Sequence, residues 1–125
     1  MDKPAASSAF TWVSSLAAGL DALAAPGADT VQYLIRNASM RAGLYAPRGA
    51  DPQGPHTQDE LYIIARGEGW FVKGEDRLAF SPGDLLFVEA GAVHRFENFS
   101  DDFVAWVVFW GPQGGEGVSP GAPTP

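Results

Sequence analysis

The chain has 125 residues, and its 8 basic and 15 acidic side chains give a formal net charge of −7. A chain of this length folds around one core, and without a Lys/Arg cluster it lacks the positive surface that a nucleic-acid partner requires. The absence of cysteine excludes disulfides, thiolate zinc sites, iron–sulfur clusters and a cysteine nucleophile. The sequence has two histidines, His56 and His94, so any imidazole chemistry uses one or both of them.

The longest apolar stretch near the N-terminus, Phe10 to Ala25, is interrupted by Ser14, Ser15, Gly19 and Asp21. A membrane helix needs about 20 consecutive apolar residues, and a signal peptide needs a basic segment before a continuous apolar run. Because this stretch has neither property, we expect a cytoplasmic protein without a membrane partner.

Residues 1–30 are predicted to form an N-terminal helical extension. Between Trp12 and Ala24, apolar side chains recur at the spacing of an amphipathic helix, at Val13, Leu16, Leu20 and Leu23. Pro26 and Gly27 then end the helix. We expect this short helix to pack on the rest of the domain.

Residues 31–110 are predicted to form an all-β domain, because short segments rich in β-branched and aromatic residues alternate with Gly, Pro and Asp. The predicted strands are Val31–Arg36, Met40–Tyr45, Leu61–Arg66, Trp70–Lys73, Arg77–Phe80, Leu85–Val88, His94–Asn98 and Phe103–Trp110. Eight short strands favour a sandwich or a barrel.

The last predicted strand, Phe103–Trp110, is apolar on both alternating faces, so it needs a cover on both sides. That cover is either internal, from a second sheet or the N-terminal helix, or a second subunit in a homodimer. Residues 111–125 follow, with five Gly and four Pro. They contain too few apolar groups to offset the entropy of ordering, so we predict a disordered tail.

His56 and Glu60 lie four residues apart, just before the β-prone run Tyr62 to Ile64. On a helix this spacing would put both side chains on one face. The neighbouring strands favour a strand here too, and four residues of straight strand span about 13 Å, too far for two ligands of one metal. If the two residues share an ion, the chain must therefore turn at residues 57–59.

The second histidine, His94, follows a glycine-containing turn and begins a predicted strand. The segment around His56 and Glu60 and the segment around His94 together resemble the cupin family. The second cupin motif, G-x5-P-x-G-x2-H-x3-N, is matched by Gly83, Gly91, His94 and Asn98, with Glu89 in place of proline. The first motif, G-x5-H-x-H-x3-or-4-E-x6-G, is matched by His56, Glu60 and Gly67, with Gly54 in place of its first histidine. The resemblance covers roughly residues 40 to 110.

This resemblance implies a jelly-roll β-barrel, also called a double-stranded β-helix, in which His56, Glu60 and His94 are metal ligands. A set of two histidines and one carboxylate suits non-haem Fe(II), and Mn, Ni, Co or Zn can also occupy it. Gln58 is a candidate weak fourth ligand in place of the missing histidine, and water is the alternative.

A small-molecule pocket is expected inside the barrel. By alternation from Glu60, the side chains of Tyr62 and Ile64 point inward, and Phe96 and Trp106 are further candidate pocket residues.

Three functions are compatible with these residues. The first is a metal-dependent enzyme on a small organic substrate, an oxygenase foremost, with an isomerase or decarboxylase also open. The second is a binding or sensing module that uses the same cup without turnover. The third is a metal-free structural cupin whose apolar strands form a homodimer. Fold alone does not choose among them.

Overall fold

The computed structural model describes residues 12–51 and 54–117, and in this part of the chain it contains one helix and eight strands. In chain order they are α1 (Leu16–Ala24), β1 (Val31–Asn37), β2 (Met40–Tyr45), β3 (Asp59–Arg66), β4 (Gly69–Lys73), β5 (Asp76–Phe80), β6 (Leu85–Val88), β7 (His94–Glu97) and β8 (Val104–Trp110). The predicted all-β domain with a short N-terminal helix is confirmed. Each predicted strand is present, β2 and β6 with the predicted ends and the others with ends that differ by one or two residues.

The strands form two antiparallel sheets, one with the order β1-β2-β8-β3-β6 and one with the order β5-β4-β7. Inward-facing side chains of both sheets form one core, which contains Tyr45, Tyr62, Ile64, Phe71, Phe80, Val88, Phe96, Phe103, Ala105, Val107 and Phe109. Aromatic rings contact each other throughout, as between Phe96 and Phe103, whose centroids are 4.7 Å apart. This two-layered β-structure is the predicted jelly roll.

Helix α1 begins three residues later than the apolar spacing predicts. The Ser15 hydroxyl accepts a hydrogen bond from the Ala18 N–H and caps the helix, while Trp12 and Val13 lie outside it, exposed. The helix packs on the outer face of the larger sheet, in a second apolar cluster that contains Leu16, Leu20, Leu23, Leu44, Ala46, Ala65, Val104 and Trp106. Helix α1 therefore covers the outer side of β8 at Val104 and Trp106.

Helix α1 covers only the first part of the outer face of β8. Further along, the Trp110 ring contacts the Phe87 ring of β6 at a centroid distance of 6.2 Å. Ile63, Leu85 and Phe87, which lie on paired strands β3 and β6, are exposed there. We call Ile63, Leu85, Phe87 and Trp110 the outer apolar face.

Residues 111–117, the first part of the predicted tail, lie against the start of β3. The Gly114 N–H donates to the Thr57 carbonyl at 2.6 Å, and the Glu116 N–H donates to the Asp59 carboxylate at 2.9 Å. In residues 111–117, hydrogen bonds of backbone N–H groups take the place of the apolar contacts that the sequence lacks. Residues 118–125 of the predicted tail lie outside the described residues, as do residues 1–11 of the extension.

Within the described ranges, the one helix has nine residues and is too short to cross a membrane.

Candidate metal centre

The predicted turn between His56 and Glu60 is present. The chain bends at Thr57 and Gln58 before β3 begins at Asp59. This bend brings His56 back over the strand, so that its Nε2 lies 2.6 Å from Oε1 of Glu60. A straight strand would have held the two side chains far apart.

His94 reaches the same carboxylate from the opposite sheet. It is the first residue of β7, and Gly91, with a φ of +81°, allows the sharp turn before it. The His94 Nε2 lies 3.3 Å from Glu60 Oε1. The three side chains therefore meet between the two sheets, although the histidines are far apart in sequence.

Both imidazoles are oriented by a backbone carbonyl. The Nδ1 of His56 lies 2.9 Å from the Gln58 carbonyl oxygen, and the Nδ1 of His94 lies 2.8 Å from that of Ala92. A carbonyl only accepts hydrogen bonds, so each Nδ1 carries a proton. Each Nε2 is directed at Glu60; it donates to the carboxylate when the imidazole is charged, and in the neutral imidazole its lone pair is free for an ion. Metal-binding histidines are held in the same way, with one nitrogen anchored and the other left for the ion.

The hydrogen bonds between Glu60 and the histidines stabilise the charged forms of Glu60 and His94. Burial disfavours the charged form of Glu60, but hydrogen bonds from His56 and His94 outweigh it and lower the pKa of this carboxyl group below its usual value. Burial likewise opposes the charged form of His94, and the hydrogen bond with Glu60 prevails, so the pKa of His94 is raised. The carboxylate is thus ionised, as a metal ligand must be.

The donor set fits one divalent ion. One ligand atom from each of His56, Glu60 and His94 lies within 4.8 Å of the other two. Metal–ligand bonds of about 2.0 to 2.2 Å place neighbouring ligand atoms about 3 Å apart, so small side-chain adjustments suffice. Glu60 and the His94 side chain are fully buried, and His56 is partly exposed, which leaves a route to the site from its side.

Sequence and structure comparisons identify the family. The cupin-domain model of the Cupin_2 type matches residues 43–110, more than half of the chain. The chain belongs to the cupin family. The predicted resemblance is thereby confirmed.

Two relatives show how far this likeness extends. The cupin is 35% identical over 81 residues to an uncharacterized protein of Streptomyces coelicolor, a match that covers 63% of this chain and 77% of that protein. It is 30% identical over 87 residues to a gentisate 1,2-dioxygenase of a Streptomyces species, covering 69% of this chain but 24% of the dioxygenase.

Among solved structures, a cupin 2 conserved barrel domain protein from Salinispora arenicola superposes with a TM-score of 0.56 at 24% identity, covering 65% of this chain and 74% of that one. The DMSP lyase DddQ from Ruegeria pomeroyi superposes with a TM-score of 0.55 at 23% identity, covering 66% and 48%. These likenesses show the shared fold.

A cavity of about 310 Å³ opens beside the cluster in this cupin. It is lined by Thr30, Val31, Tyr33, Arg41, Tyr45, Gly54, His56, Glu60, Val107 and Phe109. Its volume is at the lower end of the range of small-molecule sites. Gly54, which stands where the first cupin motif has a histidine, faces open space: a Cβ added there would meet nothing within 4 Å.

Tyr62, Ile64 and Phe96 point into the barrel core, as predicted, but they do not line this cavity. Tyr62 still contacts the cluster of His56, Glu60 and His94, because its hydroxyl lies 3.4 Å from His94 Nε2. Trp106 is a wrong prediction. It pairs with Ile63 in the β3–β8 register, so it faces outward and packs against α1.

Gln58 has a structural role that the sequence did not indicate. Its amide nitrogen donates to the carbonyls of Ser39 and Gly111 at 3.0 and 2.9 Å. This buried amide thereby links the bend before β3 to the turn between β1 and β2 and to the residue that follows β8. The prediction of Gln58 as a weak metal ligand receives no support from these contacts.

The sequence interpretation missed the wall of the cavity that β1 and β2 supply, which includes Tyr33, Arg41 and Tyr45. A usable signal was present, since alternation puts Val31 with Tyr33, and Arg41 with Tyr45, on one face of their strands. The Tyr45 hydroxyl donates to Asp51, and the other Asp51 oxygen accepts from the Phe96 N–H at 2.9 Å. This contact ties the β2 end to the smaller sheet.

Proposed function

We propose that this cupin is a metal-dependent dioxygenase that acts on a small organic substrate in the cavity beside His56 and Glu60. The observation that carries the proposal is the convergence of two imidazole nitrogens and one carboxylate oxygen, with His56 and Glu60 in the wall of a ligand-sized cavity. Three protein ligands leave coordination positions free for substrate and O₂, the arrangement of non-haem Fe(II) oxygenases. The partial match to a gentisate 1,2-dioxygenase supports the same chemistry.

A bound ferrous ion would supply Lewis acidity and the activation of O₂. The residues of the chain hold and shield the site. His56 and His94 present Nε2, and the Glu60 carboxylate offsets part of the positive charge of an ion. The Phe109 ring packs edge-on against the His56 imidazole, with centroids 4.7 Å apart, and keeps water from that side of the ring.

The cavity wall favours metal-centred chemistry over acid–base catalysis by side chains. Apart from the ligands, the titratable groups lining it in the described residues are two phenols, Tyr33 and Tyr45, and the guanidinium of Arg41. Burial and the contact with Asp51 raise the pKa of Tyr45, so its hydroxyl stays protonated and donates a hydrogen bond. Hydroxyl and guanidinium donors of this kind bind and orient a substrate.

Metal content and oxygen uptake together test the proposal. Protein purified without chelator is expected to contain one metal ion per chain, which His94→Ala and Glu60→Gln should both remove. Glu97→Gln is the matched control, because Glu97 lies on β7 like His94 but pairs with Arg77 and Arg95 at the surface. The Fe(II)-loaded protein should consume O₂ with a catechol, a hydroxy acid or a diketone.

Each alternative predicts a different result. A protein that binds metal and ligand without consuming O₂, whether loaded with iron or with Mn, Ni, Co or Zn, is a binding or sensing cupin. A metal-free structural cupin would contain no metal, and His56→Ala with His94→Ala would leave its melting temperature and oligomeric state unchanged. Either outcome contradicts the dioxygenase proposal.

A further inference from the structure

Arg41 lies in the wall of the cavity, held between two aromatic rings. Its guanidinium carbon is 4.7 Å from the centroid of the Phe109 ring and 5.1 Å from that of Tyr33. Both rings line the same cavity. Stacking on ring faces orients a guanidinium without using its hydrogen-bond donors, so the Arg41 donors remain available for a ligand.

The Arg41 side chain lacks a polar partner among the described residues. Its Nε is the only buried side-chain nitrogen or oxygen in residues 12–51 and 54–117 that has no hydrogen-bond partner. Lys73, Arg77 and Arg95 each pair with a carboxylate, and Arg48 donates to two carbonyls, whereas Arg41 forms no ion pair in this part of the chain. A buried donor on a cation is costly to leave unsatisfied, which indicates that a ligand completes it.

The chemistry of the cavity restricts what that ligand is. A guanidinium fork matches a planar carboxylate with two parallel hydrogen bonds. The cavity contains one cation and also the Glu60 carboxylate, so a monoanion is accommodated better than a phosphate dianion. Val31, Tyr33, Val107 and Phe109 give the remaining wall an apolar and aromatic character that suits a hydrocarbon body.

We propose that Arg41 binds the carboxylate of a small organic acid whose apolar body fills the cavity, and so selects acids as substrates. This inference deepens the proposed function, since it names the substrate class for the site formed by His56, Glu60 and His94. Arg41 binds the acid whether or not a metal is present, so its role can be tested separately from the metal.

The test measures binding of matched acids and amides by calorimetry. The probes are benzoate with benzamide, salicylate with salicylamide, and cyclohexanecarboxylate with its amide, each added to chelator-treated protein and to Zn(II)-loaded protein. We expect at least one acid to bind about tenfold or more tightly than its amide, as charge-assisted hydrogen bonds allow. The preference is expected in both forms of the protein.

Variants assign the preference to Arg41. Arg41→Gln should abolish it, and Arg41→Lys, which keeps the charge without the fork, should retain part of it. Arg36→Gln is the matched control, because Arg36 pairs with Arg41 across β1 and β2 and lies 5.0 Å from the Tyr33 ring, but is exposed and does not line the cavity. Thermal melting of each variant checks that it is folded.

Three results would overturn the proposal: no acid binds more tightly than its amide, Arg36→Gln weakens acid binding as much as Arg41→Gln, or phenyl phosphate binds more tightly than benzoate. Failure of the dioxygenase proposal is distinguishable. A protein that prefers acids in the chelator-treated form but takes up no metal or O₂ retains the Arg41 role and loses the metal chemistry.

Discussion

The side chain of Asp59 connects the two ligand-bearing segments, because its Oδ1 accepts a hydrogen bond from the backbone N–H of Ala90 at 2.9 Å. Its second oxygen accepts from the Glu116 N–H at the same distance. In parallel, the Gly91 N–H donates to the His56 carbonyl at 2.7 Å. The turn that precedes His94 is thus fixed to the turn that follows His56, and the distance between the two imidazoles depends on both contacts.

Asp59→Asn is expected to weaken metal binding without touching a ligand. The amide replaces one acceptor oxygen with a donor that faces a backbone N–H, so one buried hydrogen bond is lost. We expect the free energy of unfolding to fall by about 1 to 3 kcal/mol and metal affinity to fall about 10-fold or more. Urea unfolding and a competition titration with a chromogenic chelator measure the two effects.

Asp84→Asn provides the matched control for Asp59. Asp84 also accepts a backbone hydrogen bond, from the Ser81 N–H at 2.9 Å, but in an exposed turn away from the cluster. Its replacement should leave metal affinity unchanged. Equal affinities for the two variants would show that Asp59 does not position the ligands.

The candidate ligand residues and the strands are predictable from sequence because each leaves a local pattern. Alternating apolar residues and turn residues define the strands, and the motif spacing singles out His56, Glu60 and His94. Asp59 indicates only a turn in the sequence, because its two partners, Ala90 and Glu116, are distant along the chain. A contact between a side chain and a remote backbone N–H leaves no periodic trace.

The orientation of Trp106 and the contacts of residues 111–117 could not be predicted from the sequence for a different reason. An inward or outward assignment on β8 needs its register with β3, and an apolar strand covered on both faces gives no polar residue from which to count. For residues 111–117, composition predicts disorder and gives no sign of the hydrogen bonds to Thr57 and Asp59. These bonds depend on where β3 lies in the folded chain.

Gly54→His is expected to strengthen metal binding. Gly54 stands at the position of the first histidine of the first cupin motif, lines the cavity with His56 and Glu60, and leaves open space for a side chain. An imidazole there would supply a fourth ligand. We expect metal affinity to rise about tenfold or more, equivalent to about 1.4 kcal/mol or more.

Gly54→Ala is the control, since it fills the same space without a donor atom and should leave affinity unchanged. The competition titration used for Asp59 measures both variants. An unchanged affinity for Gly54→His would mean that a side chain at position 54 does not reach the ion, and would contradict the expected fourth-ligand position.

Above pH 6.5, the stability of the metal-free protein and its metal affinity are expected to respond to pH in opposite directions. The pKa of His94 is raised above its ordinary 6.5, so its ion pair with Glu60 stabilises the metal-free fold below pH 6.5, and this stability is lost as pH rises through the folded-state value. The pKa of Glu60 is lowered from 4.5, so its contribution is present above pH 4.5 and is lost as pH falls through the lowered value. Metal requires neutral imidazole, so its affinity rises with pH.

Urea unfolding of chelator-treated protein across this pH range measures the first effect, and metal titration at the same pH values measures the second. His94→Gln should remove the decline in stability at higher pH. A wild-type stability that stays level from about pH 6 to about pH 9 would contradict the raised pKa of His94.

The outer apolar face gives the expected homodimer a surface, and the homodimer stays a prediction. Leu85, Phe87 and Ile63 are 64%, 47% and 40% exposed on the outer side of β3 and the edge strand β6. Soluble monomers rarely leave a contiguous apolar patch uncovered, and an edge strand beside it invites pairing. We therefore expect two copies of the chain to associate through this face.

Light scattering coupled to size exclusion tests the expected dimer. Leu85→Ser combined with Phe87→Ser should shift the protein towards the monomer, because the association loses buried apolar area. Trp70→Ser is the control, since Trp70 is 37% exposed but lies on β4 in the other sheet, away from Leu85 and Phe87. A monomeric wild type would show that α1 and the sheets already provide all the cover that β8 needs, and dissociation by Trp70→Ser alone would place the interface on the other sheet.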